Sequence, residues 1–346
     1  MKKKFLLPLA ALFSLVACQK PVVPDRAVID LNKSNFKIGI LQPITHAALD
    51  EARVAFENVI TESVASGALH DLGKTVTFRR ENPEGDPAQL TNLAKSIAAD
   101  SDMMLGVATD PSQALKNARD EFGTKQPILF TAVTDPVAAG LIKKFPHHDG
   151  SVTGTSDDNP VEAQVNLIMK VLDKAPSQIK LGILYTGSEV NSEVQAKRAK
   201  KAAIAAGFNK NNIKNYTCTN VSDLATVVES AASRSDVIYV PTDNLMAANT
   251  ETIKTKVDNY HTLCVVGEAN MLSAGHITYS VSYDLLGKRT GEMAIEILTG
   301  LKKTHEIDAE KMMDDEYLSK KYNSANFASS GITIPQEVIE EFEDVA

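Results

Sequence analysis

Three times along the chain a short apolar run stops at a Thr-Asp pair beside a helix-start signal. Met103-Met104-Leu105-Gly106-Val107-Ala108 leads into Thr109-Asp110-Pro111. Pro127-Ile128-Leu129-Phe130 leads into Thr131-Ala132-Val133-Thr134-Asp135-Pro136. Asp236-Val237-Ile238-Tyr239-Val240 leads into Pro241-Thr242-Asp243-Asn244. Runs bounded this way read as strands buried on both faces, the signature of a parallel sheet covered by helices. Asp135 can accept hydrogen bonds from free helix-start N–H groups, and Pro136 suits a first helical position. Such a corner offers unpaired N–H groups and a positive dipole end, so it can hold a carboxylate. In an open parallel sheet it lies at the carboxyl ends of the strands, where ligands bind. One corner alone is ordinarily a capped turn. Two in the first half of the chain and one in the second suggest two lobes facing each other across a cleft.

The rest of the chain supports that reading. Phe36 to Gln42 reads as a first strand, and Ala47 to Ala65 as a helix with Leu49, Ala52, Phe56, Val59 and Ile60 on one face. Strand and helix then alternate through Thr75–Arg80, the helix opened by Asp86-Pro87, and the corners above, as in βαβ units. Ser151 to Thr155 reads as a short strand between the halves and a candidate crossover. A second series starts at Ile179. Lys37-Ile38-Gly39-Ile40-Leu41-Gln42 and Lys180-Leu181-Gly182-Ile183-Leu184-Tyr185 share Lys, Gly, Ile and Leu at matching positions, so each half opens on the same kind of strand. The expected fold is α/β, with two doubly wound parallel-sheet lobes joined by crossovers. The expected lobes are residues 36–151 with 276–300, and 152–275 with 301–346, with hinges near Val152–Gly154, Gly267–Gly275 and Gly300.

At its start the chain carries a basic Met1-Lys2-Lys3-Lys4 and an apolar run from Phe5 to Val16, too short to span a membrane. Leu15-Val16-Ala17-Cys18 resembles a lipobox, the site where a bacterial lipoprotein is cut and acylated at cysteine. Residues 1–18 are thus expected to be a lipoprotein signal, with Cys18 as the lipid attachment point, and residues 19–35 a linker. More than one acyl chain gives stable anchoring, which places the body outside the cytoplasm at the cell membrane.

Several chemistries find no support. The formal net charge of −8 argues against a nucleic-acid partner. No glycine fingerprint follows the first strand, and no Gly-x-Ser-x-Gly elbow occurs. Cys218 and Cys264 sit in no metal-ligand pattern and read as two buried thiols. His147-His148-Asp149 reads as a solvated loop rather than a metal site. Neither a catalytic residue nor a cofactor is expected.

Gln42, His46-Ala47-Ala48-Leu49-Asp50, Thr131 to Pro136, Gly154-Thr155-Ser156-Asp157, Pro241 to Asn244 and Tyr283-Asp284-Leu285-Leu286-Gly287 resemble segments of the TrpX-type solute-binding lipoproteins of ABC importers. Several members of that family are associated with tryptophan or other aromatic amino acids. The resemblance runs from about Phe36 to Gly300 and implies the type I periplasmic-binding-protein fold, with three crossovers. It also implies an ABC permease and its ATPase as partners. This chain departs from the family pattern at Ala47, at Gly267-Glu268-Ala269-Asn270, and at Ser282-Tyr283-Asp284.

The resemblance implies an amino acid held in the cleft and captured by hinge closure. Thr109 and Thr131, Ala132, Val133, Thr134 and Asp135 would present N–H and hydroxyl groups to its carboxylate. Asp157, Asp243 or Glu268 would face its ammonium, and Tyr185 would stack on a ring. Gln42, His46, Thr242 and Asn244 complete the expected site. A receptor of the same fold for a sugar, nucleoside or other small solute is the alternative. It would ordinarily use stacked aromatics on both sides, whereas aromatic content here is 5%. An extracellular enzyme lacks any nucleophile or paired-acid signature, and a transcription regulator of this fold would need a basic head where the lipobox stands.

Overall fold

A computed structural model describes residues 26–146 and 150–346. Cys18 with the rest of the leader, and the His147-His148-Asp149 loop, lie outside the described residues. The strands in chain order are β1 (Asn35–Leu41), β2 (Thr75–Glu81), β3 (Met103–Val107), β4 (Ile128–Thr131), β5 (Val152–Ser156), β6 (Leu181–Thr186), β7 (Ile213–Cys218), β8 (Val237–Val240), β9 (Leu263–Val266), β10 (Ile277–Val281), β11 (Glu310–Lys311), β12 (Leu318–Tyr322) and β13 (Glu343–Asp344). They form two sheets, β11-β5-β4-β3-β1-β2 and β13-β12-β10-β9-β8-β6-β7. Pairing is parallel except that β12 runs antiparallel to β10.

Central strands β3, β4, β8 and β9 are buried along their whole length, while edge strands β2 and β7 alternate with exposed positions. Helices cover both faces of each sheet and seal separate apolar cores, two per lobe. The two lobes are therefore α/β units of the doubly wound kind.

Local chemistry explains where the helices begin. Asp86 accepts from the N–H groups of Ala88 and Gln89, with Pro87 at the first helical position of helix Pro87–Ala99. Gly106 in β3 lets helix Thr109–Phe122 start hard against its own strand. A Cβ there would lie 2.6 Å from Ser112 Cα and 2.8 Å from its nitrogen. Gly267, just past β9, lets that strand end lie against the turn after β8, where a Cβ would sit 2.5 Å from the Thr242 nitrogen.

The lobe boundaries differ from the sequence expectation. β5, expected to open the second half, hydrogen-bonds β4 in the first sheet, with Ile128 opposite Val152. β10, expected in the first half, pairs with β9 in the second sheet. Residues past Gly300 stay in the first lobe, where β11 pairs with β5, before β12 joins the second sheet. The chain thus crosses between lobes at residues 157–160, at Ser282 and at 312–317. Gly154 and the 267–275 segment each lie inside a lobe and not on a crossing. A buried parallel strand carries no mark of which sheet will hold it, because its pairing partners are distant in sequence.

Candidate functional site

The carboxyl ends of β1, β3 and β4 face those of β6, β8 and β9 across the gap between the lobes, and the expected corners lie there. Ala108 and Ala132, directly after β3 and β4, both adopt left-handed backbone (φ 77° and 55°). Alanine pays about 1–2 kcal/mol for that conformation, and strain of this kind gathers at ligand sites. At Ala108 the turn releases helix Thr109–Phe122, leaving the Thr109 side chain buried with its Oγ1 unpartnered.

The Thr131–Asp135 corner divides by role. Thr131 Oγ1 pairs with Thr155 Oγ1 (3.2 Å) in a buried hydroxyl chain that continues to Thr290. Val133 is fully buried in the core. Asp135 is half-buried, and its Oδ1 accepts from the N–H groups of Val137 (3.1 Å) and Ala138 (2.9 Å). Thr134 alone of these side chains reaches the other lobe. Its Oγ1 donates to Asp157 Oδ1 (3.0 Å) and accepts from Gln195 Nε2 (3.3 Å).

Gln42 Nε2 donates to Ile44 O (2.9 Å) and Asp50 Oδ1 (3.1 Å), while its buried Oε1 has no partner. His46 Nε2 donates across the gap to Asn244 Oδ1 (3.2 Å). Its buried Nδ1 is unpartnered, and burial lowers its pKa to about 4, so the ring is neutral.

In the second lobe, Asp243 accepts from Thr186 N (2.6 Å), Thr186 Oγ1 (2.9 Å) and Met246 N (3.0 Å). It thus ties β6 to the start of the following turn instead of presenting a free oxygen. Thr242 Oγ1 accepts from Asn159 Nδ2 (3.0 Å). Asn244 Nδ2 donates to Glu189 Oε2 (2.8 Å), which orients its Oδ1 toward His46. Tyr185 is not brought to this group. It is half-buried against the core under helices Val161–Val171 and Val190–Ala205, and its hydroxyl accepts from Asn215 Nδ2 (3.3 Å).

Asp157, on the first crossing, and Glu268, just past β9, are buried near one another. Each is 1% exposed. The Tyr283 hydroxyl donates to Asp157 Oδ2 (2.7 Å) and also contacts Glu268, whose Oε1 has no partner. Burial raises Glu268 to about 8 and Asp157 to about 6; the Tyr283 hydroxyl holds both back, and the Thr134 hydroxyl holds back Asp157.

Glu189, Asn191, Gln195 and Tyr283 were missed as site residues in the sequence. Glu189 accepts from the N–H groups of Asn244 (3.0 Å) and Leu245 (3.1 Å); burial and then Asp243 raise its pKa. The internal repeat carried a signal for it, since Glu189 follows Tyr185 at the interval by which His46 follows Gln42. Gln195, buried in the middle of a helix, carried none.

The site is polarised. Hydroxyls and helix-start N–H groups of the first lobe stand on one side, and buried acids stand at the crossings and in the second lobe. Next to it, Pro43, Ile44 and Pro87 face Val221, Leu245 and Glu189 around an interlobe pocket of about 440 Å³.

Comparison with known proteins agrees. Residues 37–346 match the family described as ABC transporter substrate binding protein. A tyrosine-binding protein of Clostridioides difficile (strain R20291) is 31% identical over 274 residues, 78% of this chain and 74% of that protein. The ABC domain of a Streptococcus pneumoniae protein in complex with L-Trp superposes with a TM-score of 0.80 at 28% identity, covering 90% of this chain and all of that one. The ligand-free, open structure of a C. difficile substrate-binding protein with adhesive properties gives 0.64 at the same 28% identity, covering 90% and 99%. The chain belongs to the ABC transporter substrate binding protein family, and is a binding protein rather than an enzyme.

Proposed function

We propose that this protein captures an aromatic amino acid, tyrosine or tryptophan, between its lobes and delivers it to an ABC permease with its ATPase. One observation carries the reading. The strained corner at Ala108 sets a buried, unpartnered Thr109 hydroxyl at a helix start in the first lobe, and the second lobe holds a buried Glu268 whose Oε1 has no partner. A zwitterion fits that polarity. Its carboxylate would take N–H and hydroxyl groups from Thr109 and Thr134, and its ammonium would lie at Asp157 and Glu268. Gln42, His46, Asn244 and Thr242 would frame it, with Asp243 and Asp135 holding the corners in shape. The side chain would extend into the interlobe pocket against Ile44 and Leu245. Burying a ring removes roughly 150–250 Å² from water, about 4–6 kcal/mol. With charge-assisted hydrogen bonds, less the cost of association and closure, a micromolar constant near about −8 kcal/mol is within reach. The names borne by the C. difficile and S. pneumoniae relatives support this ligand class.

The lobe division refined by sheet membership belongs to the same proposal. One lobe is residues 36–156 with 283–311, the other 161–281 with 318–346. The leader reading completes it: a lipid on Cys18 would hold the protein at the outer side of the cell membrane. Labelling with a radioactive fatty acid, lost in Cys18→Ala, tests the anchor.

The chain contains no tryptophan, so bound L-Trp would be its sole indole emitter. Titration of the leaderless protein with L-Trp, L-Tyr, L-Phe and ribose, by calorimetry and indole emission, should give saturable binding of an aromatic amino acid. Saturable heat with ribose and none with the amino acids rejects the reading.

A further inference from the structure

Two buried carboxyls, Asp157 and Glu268, lie beside the Tyr283 hydroxyl, and only Asp157 is hydrogen-bonded to it in the geometry. Asp157 sits on the first crossing, Tyr283 directly follows the second, and Glu268 follows β9. Both Asp157 oxygens are occupied as acceptors, Oδ1 by the Thr134 hydroxyl and Oδ2 by the Tyr283 hydroxyl. A phenol has one proton, and here it is directed at Asp157. The Tyr283 oxygen can then meet Glu268 favourably only as an acceptor, which requires Glu268 to bring its own proton. Glu268 has no compensating donor for Oε1 and no ion pair. Glu189 differs, because its oxygens take the N–H groups of Asn244 and Leu245 and the amide of Asn191.

The surrounding charges act in the same direction. Glu268 is faced by Asp157, Asp243 and Glu51. Asp157 is faced by Asp158, which is itself paired with Arg198 and Lys311. Glu51 is engaged by Asn270 Nδ2 (2.9 Å) from the other lobe. No cation contacts Glu268 among the described residues. A desolvated carboxyl in a field of acids stays neutral until a cation arrives.

We propose that Glu268 waits in the cleft as the neutral acid and loses its proton when the ligand's ammonium binds, so that capture of one amino acid releases one proton. The inference rests on the amino-acid reading above. The balance is simple: the Glu268 O–H bond breaks, the proton passes to solvent buffer, and an ammonium N–H to carboxylate contact forms. The ligand carries no net charge, so the cleft becomes one unit more negative: the ammonium pairs with the Glu268 carboxylate, and the ligand carboxylate is left to the N–H and hydroxyl groups of the first lobe. Tyr283 is the positioning residue, since its single hydroxyl proton decides which carboxyl is ionised beforehand.

Linkage gives the sign. The group is protonated in the free protein and ionised in the complex, so affinity rises with pH. One proton released per ligand means about tenfold per pH unit. With Glu268 near 8, the rise runs through pH 6–7.5 and flattens above about 8.

The test is calorimetry of the whole leaderless protein with L-tyrosine and L-tryptophan at pH 7.0, in phosphate, HEPES and Tris. Observed heat plotted against buffer ionisation enthalpy should have a slope of about one proton released, falling toward zero at pH 8.8. Glu268→Gln should abolish the slope and lower affinity. Tyr283→Phe should change the slope, which a merely structural role would not do. The buffer series needs no variant, so the test survives if a substituted protein misfolds. Saturable binding with zero slope in the wild-type protein overturns the proposal and leaves the amino-acid reading standing. Absence of heat with every amino acid, alongside saturable ribose binding, overturns that reading and the proposal with it.

Discussion

Thr109 and Asp135 look alike in the sequence, each at a strand-to-helix corner, yet their side chains do different work. Asp135 spends its carboxylate on Val137 and Ala138 N–H groups. Asp135→Ala should therefore leave amino-acid affinity within twofold and cost about 1 kcal/mol of stability, read as a fall of about 2–4 °C in a melting curve. Thr109 keeps a buried hydroxyl without a protein partner. Thr109→Val should weaken binding about tenfold, the loss of one hydrogen bond to a charged group, with little change in melting temperature. The sequence could mark both as corner residues but not separate cap from contact. That choice depends on the left-handed turn at Ala108, which no glycine announces.

At the scale of the element, the alternation of strand and helix was legible because each run carried its own boundary chemistry, such as Asp86-Pro87 or the Thr-Asp corners. Membership was not. β5 and β10 were each placed in the wrong half, since Val152–Ser156 and Ile277–Val281 are buried runs whose partners lie elsewhere in the chain. Tyr185 shows the same limit. The period of a strand puts a side chain on one of two faces, and its ring lies on the face under helices Val161–Val171 and Val190–Ala205, beside Asn215. Close helix–strand approach makes a sharper claim. A methyl at Gly106 would collide with Ser112 backbone, so Gly106→Ala should push helix Thr109–Phe122 outward. The expected cost is about 1–3 kcal/mol in urea unfolding, with a loss of ligand affinity that Asp135→Ala does not cause.

For the whole molecule, the relevant quantity is the balance between apart and together. Among the described residues, side-chain hydrogen bonds from His46 to Asn244, Gln195 to Thr134, and Asn270 to Glu51 join the lobes. His46→Ala with Asn270→Ala removes two of them while sparing the corners. The double variant should show a larger radius of gyration by small-angle X-ray scattering without ligand. It should return toward the wild-type value at saturating ligand, with affinity lowered by the fraction of closed form lost and by the loss of His46 from the ligand's frame. An unchanged radius would mean that the crossings alone set the lobe angle.

The chain passes between its halves three times, and neither half is one uninterrupted stretch. Helix Tyr283–Thr299 returns to pack on helix Ala47–Ser66, and β12 completes the sheet begun at β6. A truncated gene ending after Asn159 would therefore lack part of its own core and should yield insoluble polypeptide. A protease nick within 157–160 has the opposite outcome. The two fragments remain interleaved, and the clipped particle should elute as one species until denaturant pulls them apart.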